Sequence, residues 1–350
     1  MTALDMPPTL RAGAPWRDGG TGCDRGIAGR HKSHRYAAIM TTTRAIVATG
    51  PGGTEVLKLQ EVELAAPGAD EVTLGVWVAG VNPVDRSKLR AAAPGDGVGR
   101  EAAGIVTAVG GSATGPLGTI SVGDEIVAYP VDGGYAEALT VPASSVFPKP
   151  ADLSWEQSAN LMLVGVTAWH LLEATGVAQG DRVLIHGSSG GVGLAAVQLA
   201  ILRGATVIGT ASEANQQLIA DHGAIPVVYG EGLVERIREA VPDGITVALD
   251  TVGTDEALDT SVELVADRDR IATIAGFKRG GELGIRMLGG GPGADPGRDI
   301  RTAARAELIK LADAGSLKLI VGRTFPLADA AGALDLVATG HPGGQVALIP

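Results

Sequence analysis

At 350 residues, 45% of them hydrophobic and 19% charged, the chain has the composition of a packed globular protein, and it is long enough that two domains are expected rather than one core. A formal net charge of -11 excludes nucleic acid and anionic membranes as partners, since both need a basic face, and favours a small neutral or cofactor-borne substrate. Cys23 is the single cysteine, so no intrachain disulfide and no cysteine-rich zinc site can form, and a reducing cytoplasm is the expected compartment.

Residues 1–39 mix Arg11, Arg17, Arg25, Arg30, Lys32 and Arg35 with Asp5, Asp18 and Asp24, Gly and Pro, and show no apolar periodicity. Nothing there can form a core, and neither a secretory signal nor a transit peptide fits, so the segment reads as a disordered leader with Met40 as the natural start. From Thr43 onward short β-rich runs follow one another: Ala45 to Thr49, Val56 to Leu59, Val72 to Val81, Gly104 to Val109, Glu125 to Tyr129 and Ala136 to Val141, each bounded by Gly, Pro or Asp. The longest apolar stretch, Leu161 to Leu172, is too short to span a bilayer and reads as a buried helix.

Beyond Asp181 the pattern changes to alternating strands and helices. Arg182 to His186 leads into a helix ending near Arg203, and Thr206 to Thr210 into a helix ending near His222; Val227 to Tyr229, Thr246 to Asp250 and Arg270 to Ala275 continue the series. This alternation specifies a doubly wound parallel sheet. The expected architecture is therefore α/β, a β-rich domain followed by a Rossmann-type domain.

The segment that carries chemistry is Gly187-Ser188-Ser189-Gly190-Gly191-Val192-Gly193, between the first apolar strand and its helix. Unpaired amides and the positive end of a helix dipole converge there, and the glycines permit close approach, which suits a pyrophosphate. A carboxylate at the end of the second strand would bind a ribose 2'-hydroxyl; here that strand ends Gly209-Thr210-Ala211-Ser212. Thr210, Ser212 and Asn215 offer hydroxyl and amide groups to a 2'-phosphate, and Tyr229 either closes the same pocket or simply ends the third strand. NADPH is thus expected over NADH, although Glu213 sits beside the pocket and no Arg or Lys lies between Thr210 and His222.

With these pieces in hand, the chain from Met40 to Pro350 resembles the zinc-free quinone oxidoreductase branch of the medium-chain dehydrogenase/reductases. The matching segments are Ala79-Gly-Val-Asn82-Pro-Val-Asp85, Gly99-Arg-Glu101-Ala-Ala-Gly104, Val122-Gly-Asp124-Glu-Ile-Val, Gly133-Gly-Tyr135-Ala-Glu137, Gly165-Val-Thr167-Ala-Trp169, the glycine turn and Asp250-Thr-Val-Gly253. The resemblance implies a GroES-like catalytic domain of residues 40–163 and 293–350, with a Rossmann domain of residues 164–292 inserted. It further implies that Val252, Gly253, Gly276 and Phe277 line the cofactor, and that the chain is a homodimer joined along the sheet edge at Gly284 to Leu288.

Zinc-dependent relatives carry a Cys after the first-domain strand and a His before the Glu of the later motif. Here Asn82 and Arg100 stand in those regions, and an arginine cannot ligate zinc. The six histidines are scattered and read as core or surface residues. Without a Lewis acid, hydride transfer suits acceptors that delocalise the added electron pair, namely quinones and conjugated carbonyls. The resemblance makes Asn82 the candidate for polarising the acceptor oxygen, Asp85 for ordering the site and Thr167 for positioning the nicotinamide; an Asx turn at Asn82 and a helix N-cap at Thr167 are the plain structural alternatives. Two other functions stay open: an enoyl or alkenal reductase on the same scaffold, and an NADPH-binding protein without turnover.

Overall fold

The computed structural model describes residues 41–340 and 343–350. The expected leader, Cys23 and His341 lie outside the described residues. The β-rich part opens with β1 (Thr42–Ala48), β2 (Leu57–Glu63) and β3 (Glu71–Val81), then the short helix α1 (Pro83–Lys88) and β4 (Ala102–Val109). A tight hairpin of β5 (Thr114–Gly115) and β6 (Gly118–Thr119) precedes β7 (Glu125–Ala128), β8 (Ala138–Pro142) and β9 (Val146–Pro148). Helices α2 (Trp155–Ala159) and α3 (Leu161–Ala174) lead into the alternating region.

That region runs β10 (Arg182–His186), α4 (Gly191–Leu202), β11 (Thr206–Ala211), α5 (Gln216–Asp221), β12 (Ile225–Val228), α6 (Leu233–Ala240), β13 (Val247–Asp250), α7 (Asp255–Leu264), β14 (Ile271–Thr273), α8 (Phe277–Leu283) and β15 (Arg286–Met287). The chain closes with α9 (Arg298–Asp313), β16 (Val321–Pro326), α10 (Ala330–Ala338) and β17 (Gln345–Ile349).

Two large sheets result. Strands β12-β11-β10-β13-β14-β15 form the six-stranded sheet, paired in parallel throughout, so the order reverses direction between β10 and β13. This is the doubly wound arrangement expected from the alternation. The other sheet has seven strands in the order β16-β17-β3-β4-β7-β9, with β8 also on β3, and its pairs are antiparallel apart from β16 with β17. β17 returns from the far end of the chain to pair with β3, Val346 opposite Val81.

Burial explains the strands. β10 reads Arg-Val-Leu-Ile-His, with Val183 to His186 fully inside, because a central parallel strand is covered on both faces and needs no polar alternation. β3 is buried along nearly its whole length for the same reason, Trp77 excepted. α2 is started by a capping box: the Gln157 N–H donates to Ser154 Oγ at 3.2 Å, and the Ser154 N–H to Gln157 Oε1 at 3.0 Å. One continuous apolar cluster takes Val78, Ala103 and Phe147 from the antiparallel sheet, Leu161, Leu171 and Leu172 from α3, Val183 and Ile185 from the parallel sheet, and Ala304 and Leu308 from α9.

Several boundaries differ from the sequence reading. The helix expected to reach His222 is a single 3-10 turn at Glu213–Asn215 followed by the six-residue α5, because Ser212 keeps extended backbone and delays the helix. β2 continues to Glu63, well past Leu59, as a half-exposed ribbon strand. Of Gly284 to Leu288, only Arg286 and Met287 form a strand paired with β14, and Leu288 makes an isolated bridge with Asp295.

Candidate active site

The glycine turn sits at the carboxyl end of β10, where the strand order reverses and open α/β sheets place their ligands. Gly187 has φ +75°, a conformation that only glycine adopts without strain, and a side chain there would run into Thr251 and Val252. Gly193 is required by proximity: an added Cβ would collide with the carbonyl oxygen of Gly187, and would lie 2.8 Å from its carbon and 2.9 Å from Ser188 Cα. The turn and the first turn of α4 are therefore packed backbone on backbone. The N-cap of α4 is Gly190 with no side-chain cap, so the Gly191, Val192 and Gly193 amides face outward unpaired, the first intrahelical-type bond being Leu194 N–H to the Gly190 carbonyl at 2.8 Å.

Second-strand residues divide into two groups. Ser188 and Thr210 point inward: Ser188 Oγ donates to the Ile185 carbonyl at 2.7 Å, and Thr210 Oγ1 accepts from the Gly187 N–H at 3.3 Å. Both are essentially buried, and their side chains brace the turn. The outer rim is formed by Ser189, Ser212, Asn215 and Tyr229. Asn215 Nδ2 donates to Ser189 Oγ at 3.3 Å, linking the turn to the loop after β11, and Tyr229 is 47% exposed beside them. His186, behind the turn, is buried, and desolvation lowers its pKa to about 4, so the ring is neutral at physiological pH.

The loops after β13 and β14 are pinned by Asp250, which opens one of the matching segments, and by Thr273, which the sequence did not single out. Asp250 accepts from the N–H groups of Val252 and Gly253 at 3.1 and 3.0 Å and from Thr273 Oγ1 at 2.6 Å, while Thr273 Oγ1 accepts from the Ala275 and Gly276 amides. Val252, Gly253, Gly276 and Phe277 are thus held together at the carboxyl end of the sheet. On the opposite wall, Gln345 reaches over Gly191 from β17; its Nε2 is buried without a hydrogen-bond partner, and a side chain at Gly191 would collide with it.

Asn82 and Asp85 belong to a buried network. The Asn82 N–H donates to Asp85 Oδ2 at 2.9 Å, closing the first turn of α1, and Tyr135 Oη donates to the same oxygen at 2.8 Å. Asn82 Nδ2 donates to Glu101 Oε1 at 2.8 Å, and Glu101 Oε2 accepts from the Leu163 N–H at the start of α3 at 2.9 Å. Asn82 and Asp85 are each 1% exposed and Glu101 is fully buried. From this interior position Asp85 fixes α1 and the backbone of Asn82. Asn82 holds Glu101 and belongs to the same interior. Burial pushes the Glu101 carboxyl up to about 8 and that of Asp85 up to about 6, against the hydrogen bonds that oppose the shift.

Thr167 lies inside α3, not at its N-cap; its Oγ1 donates back to the Leu163 carbonyl at 2.7 Å and accepts from Arg301 Nη1 at 3.1 Å. Arg301 also donates through Nε to His170 Nδ1 at 3.3 Å. Residues 289–295 fold back on the sheet edge: the Asp295 N–H donates to the Met287 carbonyl and the Gly289 N–H to the Asp295 carbonyl. Zinc does not fit the donor set near Asn82. The Asn82 amide is a donor toward Glu101, and Arg100 is a cation paired with Asp132, so two of the positions that would hold a metal carry hydrogen-bond donors.

Two domain families match this chain: the alcohol dehydrogenase GroES-like domain over residues 68–151, and the zinc-binding dehydrogenase family over residues 191–290. A quinone oxidoreductase of Pseudomonas aeruginosa is 34% identical over 324 residues, covering 85% of this chain and 97% of the relative; the mouse quinone oxidoreductase is 30% identical over 329 residues, covering 87% and 98%. Among solved structures, a mycobacterial protein complexed with NADPH superposes with a TM-score of 0.73 at 30% identity, covering 88% of this chain and all of that one. The chain belongs to the medium-chain dehydrogenase/reductase family of oxidoreductases. Within it, the similarity to quinone oxidoreductases extends through both sheets.

Proposed function

We propose that the chain is an NADPH-dependent, zinc-independent reductase that transfers hydride to a quinone or a conjugated carbonyl compound. The observation that carries this reading is the set of three unpaired amides at the start of α4, facing the reversal point of the sheet, with no carboxylate at the end of β11. Bound there, the cofactor supplies hydride from C4 of its nicotinamide. The turn from Gly187 to Gly193 cradles the pyrophosphate, the unpaired N–H groups being those of Gly191, Val192 and Gly193. Ser212, Asn215 and Tyr229 receive the adenosine 2'-phosphate, and Val252, Gly253, Gly276 and Phe277 wall the nicotinamide half.

On the acceptor side, Thr167 orients the nicotinamide, and Asn82, locked by Glu101, is the amide donor nearest in kind to an oxyanion hole. The NADPH-complexed relative and the two quinone oxidoreductases support the cofactor and the acceptor class. Among the described residues no helix is long and apolar enough to cross a membrane, which fits our further proposal of a cytoplasmic homodimer meeting at β15. The test is NADPH oxidation against a panel of quinones, enones and enals after exhaustive chelation. Turnover with quinones or enones at undiminished rate is expected; failure with every acceptor, or activity restored only by zinc, overturns the reading.

A further inference from the structure

Helix α9 carries its cations at the wrong end. Arg298, Arg301 and Arg305 occupy its first two turns against Asp299, although the positive end of a helix dipole disfavours cations. Arg301 and Arg305 are one turn apart on one face, and both approach Tyr129, the residue after β7. The Arg305 guanidinium carbon stands 5.6 Å from the Tyr129 ring centre, and the charge of Arg301 acts on the Tyr129 hydroxyl.

Neither arginine forms an ion pair with a carboxylate among the described residues. Arg301 spends Nε and Nη1 on His170 and Thr167, both neutral partners, and Arg305 spends Nη2 on Thr302 Oγ1 at 3.3 Å. Arg305 Nε is buried with no hydrogen-bond partner. Asp295, whose charge acts on Arg301 without pairing with it, accepts from the Gly297 N–H at 2.8 Å and lies 3.6 Å from His170 Nε2. Burial lowers the pKa of both guanidiniums from the ordinary arginine value, the mark of charge held out of water. A half-buried cation so weakly countered is costly unless an anion joins it.

The place in the fold says what that counter-ion belongs to. The backbone at Asp295 is tied to Met287 at the edge of the sheet beyond β14, and Arg301 bonds the hydroxyl of Thr167. We infer that Arg301 and Arg305, with Tyr129, form an anion-binding site at the acceptor end of the crevice, and that the acceptor carries a carboxylate. This rests on the reading of the crevice as the site of hydride transfer. A carboxylate matches the planar fork of a guanidinium, and Arg301 and Arg305 both meet Tyr129.

The test uses the full chain with two probes. The first is a matched pair of enones, 4-oxopent-2-enoate and its methyl ester, each consuming one NADPH and one proton to give the saturated ketone. The acid is expected to exceed the ester in kcat/KM by about tenfold or more. Arg301→Met should cut that acid-to-ester ratio about tenfold, Arg305→Met should cut it less, and Arg301→Lys should keep part of it. The second probe is benzoate, titrated calorimetrically into protein saturated with NADP+, so that the cofactor's own phosphates are already seated. Binding by the wild type and its loss in Arg301→Met or, if that variant melts early, in Arg305→Met is expected.

Equal ratios in wild type and variants, or no benzoate binding by the wild type, overturn the anion site while leaving the reductase standing. Benzoate binding that depends on Arg301, in a protein that oxidises NADPH with no acceptor, upholds the site and removes the hydride-transfer reading instead.

Discussion

Replacing Gly193 by alanine places a methyl group against backbone that cannot step aside. Its Cβ would collide with the Gly187 carbonyl oxygen and lie 2.8 Å from that carbonyl's carbon, where ordinary contact begins at 3.4 Å, so α4 must retreat from the turn by at least about 0.6 Å. That displacement takes an amide-to-phosphate bond of about 2.9 Å to about 3.5 Å, the limit of a useful hydrogen bond. Hydrogen bonds to charged groups contribute about 1.5–3 kcal/mol each. Losing one of the three at the start of α4 predicts a cofactor affinity lower by about 1.5–3 kcal/mol, a factor of roughly 13–160.

Gly190→Ala is the matched control: its Cβ meets only the Gly187 oxygen at 3.3 Å, and Gly190 has φ -76°, which alanine adopts freely. It should change affinity by less than about threefold. Calorimetric titration with NADPH, beside thermal melts to exclude unfolding, separates the two. Equal affinity for wild type and a folded Gly193→Ala would refute the claim that the amides of α4 hold the cofactor.

Ser212→Asp, which puts a carboxylate at the rim beside Asn215, should erase or reverse the preference for NADPH over NADH; a wild-type preference for NADH in titration would contradict the assignment. Asn82→Asp should be worse than Asn82→Ala for stability, because it sets a second acid 2.8 Å from Glu101 in the interior, and comparison of urea midpoints at pH 8 checks this. Stability should also fall as pH rises. Glu101 and Asp85 keep protons up to about 8 and about 6 in the folded chain, whereas the unfolded chain releases them near the ordinary carboxylate values, so the folded state binds more protons in between. The contribution is therefore fully present below about pH 4 and is gone above about pH 8; urea midpoints from pH 5.5 to 8.5 should decline in wild type and flatten in Glu101→Gln, and a flat wild-type profile would count against it.

The parallel sheet was readable because its strands are uninterrupted apolar runs, each followed by a glycine or polar turn, and β10 begins and ends where the sequence places it. The pyrophosphate turn was readable because all of its chemistry is backbone chemistry, and glycine is the one residue whose identity reports on backbone. The orientation of side chains was not. Thr210 looked available at a strand end, yet strand alternation turned its hydroxyl inward to Gly187. The role of Asp85 depends on Tyr135, and that of Thr167 on Arg301, 134 positions further along; no local pattern announces such a partner. β16 and β17 escaped notice because the first is largely exposed and the second is only five residues long.

The apolar cluster that joins Phe147, Leu172, Ile185 and Leu308 without a break has a bearing on engineering. A chimera that borrows one sheet from a relative would cut this shared interior and join surfaces that never fitted each other, so modular exchange of the cofactor half should give insoluble protein. Ser212, Asn215 and Tyr229 lie outside the cluster, at the far edge of the turn. Specificity in this scaffold is therefore open to redesign residue by residue at its rim, and closed to redesign by swapping halves.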